Sequence, residues 1–242
     1  MLSDLIILPM IIAELLRLIG NHTKLKLVEH FGANSQVILG GLGVIIHELA
    51  HLVISILFLH QIGQFKLLEL HNYKTTGTLG YVNHYWNRHN FYESLGNFFI
   101  GLAPCYLCSE VIWLVHGYLF GNRLMNYMTG HNLGTAIQTA YKNVIHPFGP
   151  ISWSLLVYII IIVMIASTGY GLSNADLRNS WSGLPNWLIL IIIFYVLIIL
   201  LGNATLFIPL LWQLIVIELT FLGRGLIYLF TSLIIIDIVG IF

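Results

Sequence analysis

Charge is what this sequence has least of. Only 8% of its 242 residues are Asp, Glu, Lys or Arg, while 58% are apolar. A soluble domain of this size needs roughly a quarter of its residues charged to face water, so the composition excludes a water-soluble protein and indicates a membrane one. The ten Lys and Arg balance the ten Asp and Glu, and no basic cluster occurs. That excludes a nucleic-acid binder, whose affinity comes from neutralising phosphates. There are only two cysteines, Cys105 and Cys108, both inside an apolar run, so a disulfide scaffold and a zinc-ribbon framework are excluded too. Cysteine scarcity and the lack of a targeting signal point to a prokaryotic plasma membrane.

What the sequence has in abundance is long apolar runs. The first, Leu5 to Gly20, follows no basic n-region and precedes no cleavage site, which reads as a retained anchor, or, since it is short and carries Glu14 and Arg17, as a helix lying partly in the interface. A polar segment, Asn21 to Ser35, comes next. The second run, Gln36 to His60, is long enough to span at about 1.5 Å per residue, yet carries His47, Glu48 and His51 near its middle. Between Gln61 and Glu93 the chain turns polar. There Phe65-Lys-Leu-Leu-Glu-Leu70 and Thr75-Thr-Gly-Thr-Leu-Gly-Tyr-Val82 read as two short strands of a hairpin on the membrane face.

A third span, Ser94 to Phe120, holds Gly96, Gly101 and Pro104, the small or breaking residues of a broken or tightly packed membrane helix. A polar connection follows, Gly121 to Gly149, and then a charge-free fourth span, Ile151 to Gly171. Asn179 to Ile217 has no charge and is too long for one crossing, so it divides near Gly202-Asn203; Gly223 to Phe242 forms the last run. The expectation is one membrane-embedded domain over residues 1–242, all-α and polytopic. It has six or seven transmembrane helices, a small β-hairpin between the second and third, a core at about 36–181 and extra C-terminal helices at about 184–242. No internal repeat is present.

His47-Glu-Leu-Ala-His51 is an HExxH motif. On a helix it sets both imidazoles on one face, one turn apart, where their nitrogens can bind the same zinc. Glu48 then lies beside the open coordination position. From there it can take a proton from water and later return it to a leaving amine, which is metal-assisted peptide hydrolysis. With 11 His and 7 Glu in 242 residues, chance yields this pattern about 0.014 times. Its setting adds weight, because an ionisable group at the bilayer centre costs roughly 2.5 to 3.5 kcal/mol and is functional by default.

Two histidines leave a catalytic zinc short of a third protein ligand. Asp176, in Ser173-Asn-Ala-Asp176, follows the charge-free span; Glu110 and His116 lie in the third; His131 and His146 lie in the polar connection. Glu218 and Asp237, in the C-terminal runs, have the alternative of pairing with Arg224. Cys105-Tyr-Leu-Cys108 has metal-site spacing, but small residues one turn apart inside a span are read as helix packing. His84 and His89, among Tyr81, Tyr85 and Trp86, read as an interfacial aromatic belt. Asn97 reads as an interhelical hydrogen-bonding residue or a substrate contact.

Gly43-Val-Ile-Ile-His47-Glu-Leu-Ala-His51-Leu-Val53, the hairpin-like segment ending Gly80-Tyr-Val82, Gly101-Leu-Ala-Pro104 and the late Asp together resemble the site-2 protease family of intramembrane zinc metalloproteases. The likeness covers roughly Gly40 to Trp181. It implies His47, His51 and Asp176 as zinc ligands, Glu48 as catalytic base, and membrane-protein or membrane-peptide segments as substrates. Around Asp176 this chain reads Ser173-Asn-Ala-Asp-Leu-Arg178, without the proline and glycine of the family's Asn, Pro and Asp-Gly pattern. Two other function classes stand beside this expectation. One is a transporter or ion-binding protein with the His/Glu cluster on its path; the missing repeats speak against it. The other is an inactive homologue that holds membrane peptides.

Overall fold

A computed structural model describes residues 4–70, 77–121, 132–144, 151–200 and 204–241. Within them the chain is predominantly helical, with one two-stranded antiparallel sheet. The order is α1 (Asp4–Phe31), α2 (Ser35–Ile38), α3 (Gly41–Leu57), β1 (Gln61–Lys66), β2 (Tyr81–Tyr85), α4 (Phe91–Phe120), α5 (Leu133–Val144), α6 (Trp153–Gly169), α7 (Asn174–Leu200) and α8 (Ala204–Gly240). Three helices are long and apolar enough to cross a membrane: α4, α7 and the Ile208–Gly240 part of α8. The apolar helices α3 and α6 have 17 residues each, about 26 Å at 1.5 Å per residue, somewhat less than a hydrocarbon core of about 30 Å.

The polar segment expected after Gly20 is helical as far as Phe31. Ala13, Leu16, Gly20, Thr23 and Leu27 are buried at helical spacing, so one continuous stripe seats α1 along α8 and carries the helix past its apolar end. The run ending at Ile217 and the last run, Gly223 to Phe242, are likewise one helix. The Arg224 side chain is 1% exposed, its guanidinium lies 3.8 Å from the centre of the Trp113 ring, and Nη2 donates to the Asn143 carbonyl at 3.4 Å. Stacking on an aromatic face lets the charge stay inside the bundle, so the helix continues through it. Asp237 faces His30 on α1, at 3.3 Å, rather than Arg224.

The second run divides too: α2 stops at Ile38, and α3 starts at Gly41 with its N-terminal half against α6. The hairpin strands overlap the expected segments but are shifted outward, β1 starting at Gln61 and β2 ending at Tyr85, and pair Ile62 with His84 and Phe65 with Val82 across an irregularity between them. The expected strand residues Thr75 and Thr76 and the expected break at Gly202-Asn203 are outside the described residues. The third span is one helix through Pro104, capped by Asn90, whose side chain accepts from the Tyr92 and Glu93 amides.

Glycine decides how closely the helices around the motif approach. A Cβ on Gly43 would meet Ile165 O and Thr168 Oγ1 at 2.4 Å, and one on Gly169 would meet Cys108 Sγ at 2.7 Å. These contacts seat α6 directly on α3 and α4, and Thr168 Oγ1 donates to the Gly40 carbonyl at 2.5 Å. A Cβ on Gly101 would meet Ser180 Oγ at 2.1 Å and Asp176 O at 2.3 Å, and one on Gly183 would meet Phe98 N at 2.2 Å. Small residues on both partners thus bring the α7 backbone against α4, as in membrane helix pairs generally. Both cysteines are free thiols buried in this packing.

Candidate metal centre

His47 and His51 sit one turn apart on α3 and are both buried. Each Nδ1 donates to a backbone carbonyl 2.8 Å away, His47 to Gly169 at the end of α6 and His51 to Ile100 on α4. The close helix approaches described above create these bonds. A carbonyl can only accept, so the proton of each neutral ring is on Nδ1 and Nε2 is bare. The two Nε2 atoms face each other at 3.1 Å, with Asp176 Oδ1 at 3.3 Å from His51 Nε2 and Asp176 Oδ2 at 3.8 Å from His47 Nε2.

Two lone pairs and a carboxylate converging on one point repel one another unless a cation lies between them. Ligand atoms at zinc bond lengths of about 2.0 to 2.2 Å in a tetrahedron are separated by about 3.3 Å, close to the distances found. The donor set His, His and carboxylate therefore suits a catalytic zinc with one position left open, and the carbonyls behind each imidazole are the outer partners such ligands use. All three ligand atoms lie within 4.8 Å of one another, the only such triad of His, Cys, Asp or Glu among the described residues.

Asp176 is delivered by the start of α7. Ser173 N donates to Asp176 Oδ2 at 2.6 Å and Asp176 N donates to Ser173 Oγ at 3.1 Å, the reciprocal bonds of a capping box. One carboxylate thus closes the helix terminus and points at the histidines, so the local backbone presets its direction. The Ser-x-x-Asp spacing supports the residue without the family's proline and glycine.

The triad opens into a cavity of about 790 Å³ that also exposes Glu48, Lys24 from α1 and the β2 residues Tyr81 to Tyr85. Glu48 is buried beside His47, and its Cγ lies where a Cβ on Gly80 would come within 2.7 Å. The hairpin backbone therefore runs directly over the acid. His84 and Asn179 also line this cavity. His84 was assigned to an interfacial belt from its neighbours, and nothing in the local sequence distinguishes it from His89. Burial pushes His84 down to about 4, so the ring is neutral at physiological pH.

The other ligand candidates lie elsewhere. His116 stacks on Trp113, with ring centres 5.4 Å apart. Glu110 and Glu218 line a separate apolar cavity of about 690 Å³ bounded by α3, α4, α7 and α8. Asn97 is buried in the α4–α7 contact and does not line the metal cavity. His131 and His146 are outside the described residues.

Gly43→Ala tests the link between packing and site. A Cβ there collides with α6 backbone, so α3 and α6 must separate and the His47 to Gly169 bond must stretch. Overpacking of this kind costs about 1–3 kcal/mol. The expected result is a lower unfolding temperature in detergent together with weaker zinc binding; normal zinc affinity in this variant would detach the site from the helix contact.

Comparison of the chain with protein-family models, with curated proteins and with solved structures found no match.

Proposed function

We propose that this chain is a zinc-dependent intramembrane endopeptidase, of the kind the site-2 protease resemblance implies, that cleaves peptide bonds in or next to the transmembrane segments of other membrane proteins. The observation that carries this reading is the convergence of bare His47 and His51 Nε2 atoms and the Asp176 carboxylate beside Glu48, inside a predominantly apolar helical chain. In this reading the protein is a multi-pass integral membrane protein of a prokaryotic plasma membrane, and the shorter helices α3 and α6 also lie within the bilayer.

His47, His51 and Asp176 would hold the zinc, which when bound would supply Lewis-acid chemistry, acidifying water and polarising the peptide carbonyl. Glu48 takes the proton from that water and returns it to the departing amine. A membrane helix has its amides paired internally, so it must unwind locally to be cut. The hairpin over Glu48 offers an edge on which the unwound segment can add as a strand.

The test is reconstitution of the purified protein in liposomes with a mixture of membrane proteins, followed by labelling of new N-termini. New termini within or beside apolar spans are expected, lost on chelation and restored by zinc. Zinc or proton flux across the same liposomes without any new termini would instead establish the transport reading, in which the His/Glu cluster lines a path.

A further inference from the structure

His84 is one link in a chain of polar contacts that joins three elements and ends in the metal cavity. His60, just past α3, places Nε2 at 2.8 Å from the Glu93 carbonyl at the start of α4 and Nδ1 at 2.9 Å from His84 Nδ1. His84 Nε2 lies 3.0 Å from the side-chain amide nitrogen of Asn179, one turn beyond Asp176 on α7. The starting point is well anchored: the Glu93 carboxylate accepts from the Asn87 amide at 2.6 Å and from Asn90 Nδ2 at 2.7 Å. Trp86 stacks on His60, with ring centres 5.9 Å apart, and lies tilted against His84, with centres 5.8 Å apart.

With one proton on each ring, every direction in this chain is determined. The Glu93 carbonyl can only accept, so the His60 proton is on Nε2 and its Nδ1 is bare. His84 must then donate from Nδ1, which leaves its own Nε2 bare. Asn179 can satisfy that nitrogen only with its NH2 group. The amide is therefore held in a single orientation. One N–H is used by His84, while the carbonyl oxygen and the second N–H remain for the cavity that Asn179 lines.

A side-chain amide with one acceptor and one donor left in its plane matches the hydrogen-bonding capacity of a peptide group. It stands against β2 through His84, one turn from a metal ligand. We infer that Asn179 is a peptide-binding residue of the metal cavity, gripping the backbone of an extended chain next to the reacting bond, and that His84 and His60 are positioning residues that hold its amide in register. This inference rests on the endopeptidase reading and extends it to the substrate's main chain. A contact of this kind recognises an unwound backbone whatever its side chains.

Two hydroxamates and the Co2+-loaded protein in detergent test it without any need for a cleaved substrate. A peptide hydroxamate carries a metal-binding group and an extended backbone; acetohydroxamate carries the metal-binding group alone. Binding is followed by the visible spectrum of the bound cobalt. Asn179→Ala and His84→Ala are expected to weaken the peptide hydroxamate about ten-fold, the contribution of one hydrogen bond of about 1.4 kcal/mol. Acetohydroxamate affinity and cobalt per chain should not change. His84→Gln, which restores an acceptor for the Asn179 NH2 group, should recover most of the loss.

Unchanged affinity for the peptide hydroxamate in Asn179→Ala would overturn the inference and leave the endopeptidase reading standing. Loss of cobalt in both His84→Ala and His84→Gln would also overturn it, because the chain would then serve the metal ligands and not the peptide. Failure of the wild type to bind cobalt would overturn the endopeptidase reading itself, and the inference with it.

Discussion

Replacing Glu48 with glutamine should lower the rate of peptide cleavage by about 10²–10⁴, the usual contribution of a positioned general base, while zinc remains bound. Glutamine has nearly the same shape as glutamate and fits the same buried place beneath the hairpin, so the packing against Gly80 survives. Its amide cannot take a proton from water. Glu48 is not one of the three converging ligands, so the substitution separates catalysis from metal binding. New N-termini counted in reconstituted membranes, together with zinc per chain by elemental analysis, check both halves. Full cleavage by Glu48→Gln would sink the mechanism. Substrate capture by the wild type without any cleavage, persisting in Glu48→Gln, would favour an inactive peptide-holding homologue.

The second large effect is expected for Asp176→Ala. Wild-type protein should hold about one zinc per chain, and the variant should lose most of it under the same conditions. Outer-shell partners of a metal site typically contribute 10–100-fold in affinity, and a direct ligand should contribute more. Asp176 also accepts from Ser173 N, so alanine removes an end cap of α7 costing about 0.5–2 kcal/mol. Asp176→Asn distinguishes the two roles: an amide oxygen can still cap the helix, but it supplies no negative charge to the metal. If Asp176→Asn keeps full zinc affinity, the carboxylate is not the third ligand. His47→Ala should behave as Asp176→Ala does, without loss of the cap.

Several features were legible because they are written in neighbouring residues. Hydropathy marks apolar helices, and His47 and His51 four positions apart share one face of whatever helix carries them. Where residues far apart had to meet, the sequence was less direct. The run ending at Ile217 and the one starting at Gly223 look like separate spans, because no local pattern announces that Trp113, on another helix, will cover the charge of Arg224. The hairpin strands were misplaced because period-two alternation is weak around Gly63, where the pairing is irregular. Asp176 was reached by resemblance, although its capping spacing to Ser173 was a local signal for where that carboxylate would point.

By itself, then, the sequence determined that this chain is built for an apolar environment and carries two imidazoles and an acid on one turn of a helix. Both follow from hydropathy and from spacings of a few residues, which depend only on backbone geometry. The tertiary structure decided what surrounds that turn. His47 bonds to a carbonyl 122 positions away, and Asp176 and the His84–Asn179 contact reach the same cavity only because glycines at 43, 101, 169 and 183 let four helices close to backbone distance. Such contacts depend on how side-chain volumes on separate helices interlock, a property that no single stretch of the chain contains.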